Sequence, residues 1–311
     1  MINPLALFAQ IIYVVIAPIF LLMGVGFVLQ KRLGFDIRTL TRLNFWVFVP
    51  AFLFVRVLES SLSTHDIALV VLHFMISGAI LFVVTWQIAR LIGASKGLQR
   101  AMTSSVIFYN AGNYGVPAAQ LAFGAAGVAI QSIIMMMQNT TNFTIGLGLH
   151  AGAKSGVEKR DTLRAVWRLP MLQTLTVALL WRWSGQPLPL PLQTAVHYLS
   201  DGLVPIALIT LGAQMATLKS FRLDLPIGLT LVLRLIVAPF LAFGLARLMQ
   251  MPLALTQSLV VAASFPVAVN SALLAIEYDN EPNYSSAVVF YSTLLSVITV
   301  SGTIFLMRLM N

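Results

Sequence analysis

FYNAGNYGVPAA, residues 108–119, interrupts a tract that is otherwise apolar enough to cross a bilayer. These twelve residues hold two asparagines, two glycines, two tyrosines and a proline. Gly112 and Gly115 are poor helix formers, and Pro117 cannot donate to the helix ladder. The stretch therefore predicts a helix that opens near mid-membrane. Exposed backbone N–H and C=O groups cannot be left to lipid, so the opening must face protein or a water-filled cavity.

The rest of the chain sets this stretch in a membrane. Of 311 residues, 59% are hydrophobic and only 9% are charged. Long apolar runs with sparse charge indicate a polytopic helical membrane protein. A net charge of +9 raises nucleic acid as a partner. The basic residues argue against it, because they are spread over short loops instead of gathered in a patch. Cysteine is absent, which excludes disulfides, thiol catalysis and thiolate metal sites. No basic region precedes the first apolar span, whereas Lys31 and Arg32 follow it. That pattern predicts a first helix with its N-terminus outside, not a cleaved signal peptide.

A bilayer takes about 20 residues per helical span. Ten spans are expected, at 7–30, 41–58, 67–90, 100–123, 126–149, 165–184, 194–218, 226–248, 254–277 and 284–308. Arg182, Arg247 and Arg308 then lie at outer ends, and Arg56 and Arg234 within spans. The other fourteen of the 19 Lys and Arg fall in inner loops, which places both termini outside. The loop after span nine carries Glu277, Asp279 and Glu281 and no base, but acidic residues weigh little in this rule.

The two halves resemble each other. Val49-Pro50 in span two has a counterpart in Val204-Pro205 of span seven, and Asn113 in span four has one in Asn270 of span nine. The expected organisation is a five-helix repeat over 1–150, a cytoplasmic loop over 151–164 and a second five-helix repeat over 165–311. Five is odd, so the second repeat enters the membrane from the opposite side. Inverted repeats with broken helices characterise secondary transporters. SFPVAVNSA, residues 264–272, is the matching candidate break. Where two breaks cross, two half-helix N-termini bring partial positive charge and N–H donors to one place. That makes an anion site built mostly of backbone, to which Asn113 and Asn270 add neutral polar groups. Asparagine that merely glues helices together is the competing explanation.

NAGNYGVP, residues 110–117, resembles the span-four motif of the auxin efflux carrier family. That family includes the plant PIN carriers and bacterial permeases for small organic acids such as malate and malonate. The resemblance extends over the whole chain: ten spans, Val-Pro in spans two and seven, and a central inner loop. It implies an all-α fold similar to those of sodium–proton antiporters and bile-acid symporters, with spans four and nine broken and crossing. It further implies a scaffold of spans 1, 2, 6 and 7, a transport unit of spans 3, 4, 5, 8, 9 and 10, and an elevator-type movement between them. One departure stands out. Pro117 follows Asn113 by four residues, whereas Pro266 precedes Asn270 by four, so the breaks are not strict copies.

The candidate substrate-binding residues are Asn113, Asn270, Gly112, Tyr114, Gly115, Gln138 and Asn142. Gln138 and Asn142 are four apart and share a helix face. They either line the site or satisfy the carbonyls freed by the break. Pro117, Pro266, Pro50 and Pro205 are the candidate break and crossover positions. Asp201 is the candidate for proton or ion coupling, since an intramembrane carboxylate is costly to keep. Pairing with Arg234, or hydration near the outer surface, accounts for it equally.

The function expected is transport of a small organic anion across the inner, cytoplasmic membrane. The alternative is a sodium- or proton-coupled symporter or antiporter of the same fold. Antiporters of that kind need carboxylates at the crossing, where this chain has asparagines. Carbonyls and amides can ligate sodium, so a sodium-coupled carrier stays open. An enzyme is not expected: HExxH is absent and Asp201 has no second intramembrane aspartate to act with. No cofactor or metal is expected. The partners are the anion, the bilayer and a second copy joined through the scaffold helices, with no nucleic acid.

Overall fold

The computed structural model describes residues 3–60, 62–151, 170–218 and 223–310. Every regular element among them is helical. Among the described residues, seven helices are long and apolar enough to cross a membrane. These are α1 (Pro4–Leu33), α2 (Ile37–Glu59), α3 (Thr64–Leu91), α5 (Gly115–His150), α7 (Leu190–Thr217), α8 (Leu225–Leu248) and α11 (Pro282–Arg308). Four shorter helices complete the set: α4 (Lys96–Ile107), α6 (Pro170–Ser184), α9 (Leu253–Ala263) and α10 (Val269–Glu277). The cytoplasmic loop expected over 151–164 lies outside the described residues except for Ala151.

Local sequence explains the helix starts. Asn3, Asp36, Ser95 and Asp224 each cap a helix with a side-chain oxygen that accepts a first-turn N–H at 3.0–3.1 Å. Gly124 lies inside the long α5 but takes φ +61°, so helical pieces 115–123 and 125–141 meet there at a bend.

Pro50 and Pro205 do not interrupt their spans, contrary to the expectation from sequence. Pro50 follows a π-helical turn, Asn44–Phe48, in which Val49 N–H reaches back to Asn44 O. That wider turn makes room for the proline ring. Pro18 and Pro239 follow the π-turns Ile12–Ile16 and Leu233–Val237 in the same way. Pro205 sits inside a continuous α7.

Burial is reversed relative to a water-soluble protein. Leu21, Phe240 and Ile298 are each about 70% exposed, whereas Thr210, Thr230, Ser264, Ser292 and Ser296 are fully buried. Apolar exterior and polar interior are what hydrocarbon solvent selects.

Two compact units emerge. One takes its described residues from 1–18, 64–156 and 218–311, the other from 19–63 and 157–217. In the smaller unit α2 packs against both α6 and α7. There α1 also meets α7 backbone to backbone: a Cβ on Gly26 would lie 2.0 Å from Ile209 O, and one on Gly212 would lie 1.9 Å from Met23 O. In the larger unit α3 packs on α4, α8 on α9, and α9 on α5.

Candidate functional site

The two interruptions lie in the larger unit, between α4 and α5 (residues 108–114) and between α9 and α10 (residues 264–268). They cross as antiparallel extended segments. Tyr109 and Val267 form a β-bridge. Asn110 N–H donates to Pro266 O at 2.8 Å, and Ala268 N–H donates to Phe108 O at 3.0 Å. Residues 264–268 are therefore where the second span opens. Pro266 lies within that opening, while Pro117 lies in the first turn of α5, just past its own.

Side chains satisfy several of the other freed backbone groups. Gln131 Nε2 donates to Ala111 O at 2.7 Å, and Gln138 Nε2 donates to Ile107 O at 3.2 Å. Ser292 Oγ accepts from Val267 N–H at 3.1 Å. Asn110 does the most: its Oδ1 accepts Tyr114 N–H at 3.3 Å and its main-chain O accepts Gly115 N–H at 2.9 Å. Unpaired polar groups at this depth would each cost several kcal/mol, of order the transfer of an amide to hydrocarbon, about 4–8 kcal/mol.

Close packing holds the crossing together. Gly115 touches the opposite segment: an added Cβ would lie 2.5 Å from Gln131 Nε2 and 3.0 Å from the Phe265 ring. Phe265 in turn packs against Tyr109 and Tyr114, at 6.4 and 5.6 Å between ring centres. Tyr114 is buried, and its hydroxyl accepts from Ser296 Oγ at 3.1 Å. A substrate stacking directly on the Tyr114 ring has no access to it.

The two half-helix N-termini are not equivalent. At α5, Tyr114 and Gly115 N–H are taken by Asn110, Val116 N–H by Gly112 O, and Pro117 has none. At α10, Val269 and Asn270 N–H meet no protein acceptor among the described residues, and both residues are half-buried. Free donors were expected at both ends; they occur at α10. Asn113 and Gly112 are also half-buried, on the approach to α5. The structure thus brings Asn113, Gly112, Tyr114 and Gly115 to the same crossing as Asn270.

Gln138 and Asn142 are buried behind it. Gln138 tethers the end of α4, and Asn142 packs against Gly146, whose added Cβ would lie 2.5 Å from Asn142 Oδ1. Asp201 is exposed on α7, in the smaller unit. Arg234 is 1% exposed in the larger unit, where Nη1 donates to Val106 O at 2.7 Å and Nη2 to Ala263 O. Asn110, Gln131 and Arg234 escaped sequence reasoning as parts of the crossing. The position of Asn110, at the very start of the motif, was the available signal.

Comparison with known proteins agrees with the geometry. The family model described as "Membrane transport protein" matches residues 11–304. An "Uncharacterized transporter" of Methanothermobacter thermautotrophicus is 28% identical over 292 residues, which cover 92% of this chain and 95% of the relative. A "Putative malonate transporter" of Rhizobium meliloti is 29% identical over 208 residues, 64% of each chain. An uncharacterized transporter of Methanocaldococcus jannaschii is 25% identical over 197 residues, 62% of this chain and 63% of the relative. A helical membrane protein with a matching family model over nearly its whole length, this chain belongs to the membrane transport protein family, the auxin efflux carriers.

Proposed function

We propose that this membrane transporter carries a small organic anion, a carboxylate of the malonate class, held where the two interrupted spans cross. The observation that carries the reading is the crossing itself. Two free N–H groups at the start of α10 and the carboxamides of Asn113 and Asn270 offer donors. Segments 108–117 and 264–270 contain no acidic residue to repel an anion. Each N-terminus adds roughly half a positive charge. This site attracts a carboxylate chiefly through backbone, since the buried Arg234 is taken up by the carbonyls of Val106 and Ala263. The name of the Rhizobium meliloti relative supports the substrate class.

The same reading takes the chain as ten spans in an inverted repeat, with both termini outside the cytoplasmic membrane. Span four is then α4 with 115–123, span five is 125–151, and span nine is α9 with α10. Pairings on the two sides of the crossing support the repeat: α3 with α4 is matched by α8 with α9. The larger compact unit contains the proposed transport spans and the smaller one most of the proposed scaffold, which supports an elevator movement. A membrane potential negative inside favours anion export by about 2.3 kcal/mol per charge per 100 mV, so uniport export needs no coupling ion.

Uptake of labelled malonate into proteoliposomes, competed by a panel of mono- and dicarboxylates, tests the substrate class. Saturable uptake displaced by carboxylates and not by neutral amides is expected; displacement by cations or neutral solutes would overturn the reading. Asp201→Asn should leave the pH profile of uptake unchanged, because the exposed carboxylate is not part of the crossing. A profile flattened by that substitution would establish proton coupling instead.

A further inference from the structure

The carbonyl ends of both interrupted spans converge on one side chain. α4 ends at Ile107 and α9 at Ala263, and Arg234 from α8 donates to Val106 O at 2.7 Å and to Ala263 O. Its guanidinium lies 4.7 Å from the centre of the Tyr109 ring. Among the described residues Arg234 enters no ion pair, so no carboxylate balances it.

A buried, unpaired guanidinium is costly unless something opposite faces it. Here the opposite charge is backbone. Each helix C-terminus carries roughly half a negative charge, so two of them cancel about one guanidinium. More oxygen lies close by. Ser77, Tyr109, Gln138 and Arg234 line a cavity of about 40 Å³, and Ser77 Oγ and Gln138 Oε1 have no partner among the described residues. The two carbonyls on Arg234, and the hydroxyl and carboxamide oxygen of the cavity beside it, are oxygens of the hard kind that small metal cations select.

We propose that Arg234 is a resident cation seated on the carbonyl ends of the two interrupted spans, where it does permanently what a bound sodium ion would do. The crossing is then electrically complete without an inorganic cation: Arg234 answers the two C-termini, and the transported anion answers the two N-termini. The second half of that statement rests on the proposed function; the first does not. Arg234 is a positioning residue, since its donors hold the carbonyl ends of α4 and α9.

The test uses the full chain purified in detergent, with thermal unfolding followed in sodium chloride and in choline chloride at equal ionic strength. The wild-type midpoint should be the same in both salts. Arg234→Ala should unfold several degrees lower in choline, and its midpoint should climb and saturate with added sodium. Arg234→Lys, which keeps the charge, should be indifferent to sodium. A wild type stabilised by sodium over choline would overturn the proposal, and so would a folded Arg234→Ala with equal midpoints in the two salts. Should Arg234→Ala yield no folded protein, Arg234→Lys decides. Folded and sodium-indifferent, it supports the resident cation. Unfolded, or stabilised by sodium, it shows that charge at this position is not what the site requires. No substrate enters the measurement, so a wrong substrate class leaves its outcome untouched.

Discussion

Asn110 donates its main-chain N–H to Pro266 O at 2.8 Å, while its side chain accepts Tyr114 N–H at 3.3 Å. One residue thus ties the two interruptions together and starts the helix that leaves the crossing. Asn110→Ala keeps the main-chain bond and removes the cap. The buried Tyr114 N–H then has no acceptor, which costs about 1–3 kcal/mol. A thermal midpoint lower by several degrees in detergent is expected. A midpoint equal to wild type would show that the cap carries no weight.

Gly115→Ala tests how closely the segments must approach. The new methyl would meet Gln131 Nε2 at 2.5 Å and Phe265 at 3.0 Å. Overpacking of this kind costs about 1–3 kcal/mol. Transport should fall sharply and should recover in part in the double variant Gly115→Ala/Phe265→Leu, where the ring makes way. Additive losses in the double variant would mean that the two residues do not compete for the same space.

Gly212→Ala probes the smaller unit. Its Cβ would lie 1.9 Å from Met23 O, a backbone atom that cannot move aside without moving α1. Loss of folded protein is expected, whereas Gly24→Ala, with nothing within 4 Å, should purify like wild type. Equal yields of the two variants would contradict the close backbone approach.

Much of this was legible in the sequence. Gly112, Gly115 and Pro117 marked the first interruption because their defects are local to the backbone. Ser264–Ala272 marked the second, which opens at 264–268. Pro50 and Pro205 marked nothing comparable: residues 44–48 widen ahead of Pro50, and α7 runs on through Pro205. Arg234 was out of reach for another reason. Its partners are main-chain carbonyls on two other helices, and no sequence pattern records which side chain a helix end will meet. The same holds for Arg308, whose Nη2 donates to Ala122 O at 3.0 Å beside the bend at Gly124. Sequence suggested a carboxylate for Arg234, whereas the structure shows that helix ends can take its place.

Charge movement on a solid-supported membrane carrying reconstituted protein tests the central claim most directly. Wild type should give a saturable current when malonate or a related carboxylate is added, and folded Asn113→Ala should lose it. A current that persists undiminished in Asn113→Ala would contradict an anion site at the crossing of the two interrupted spans.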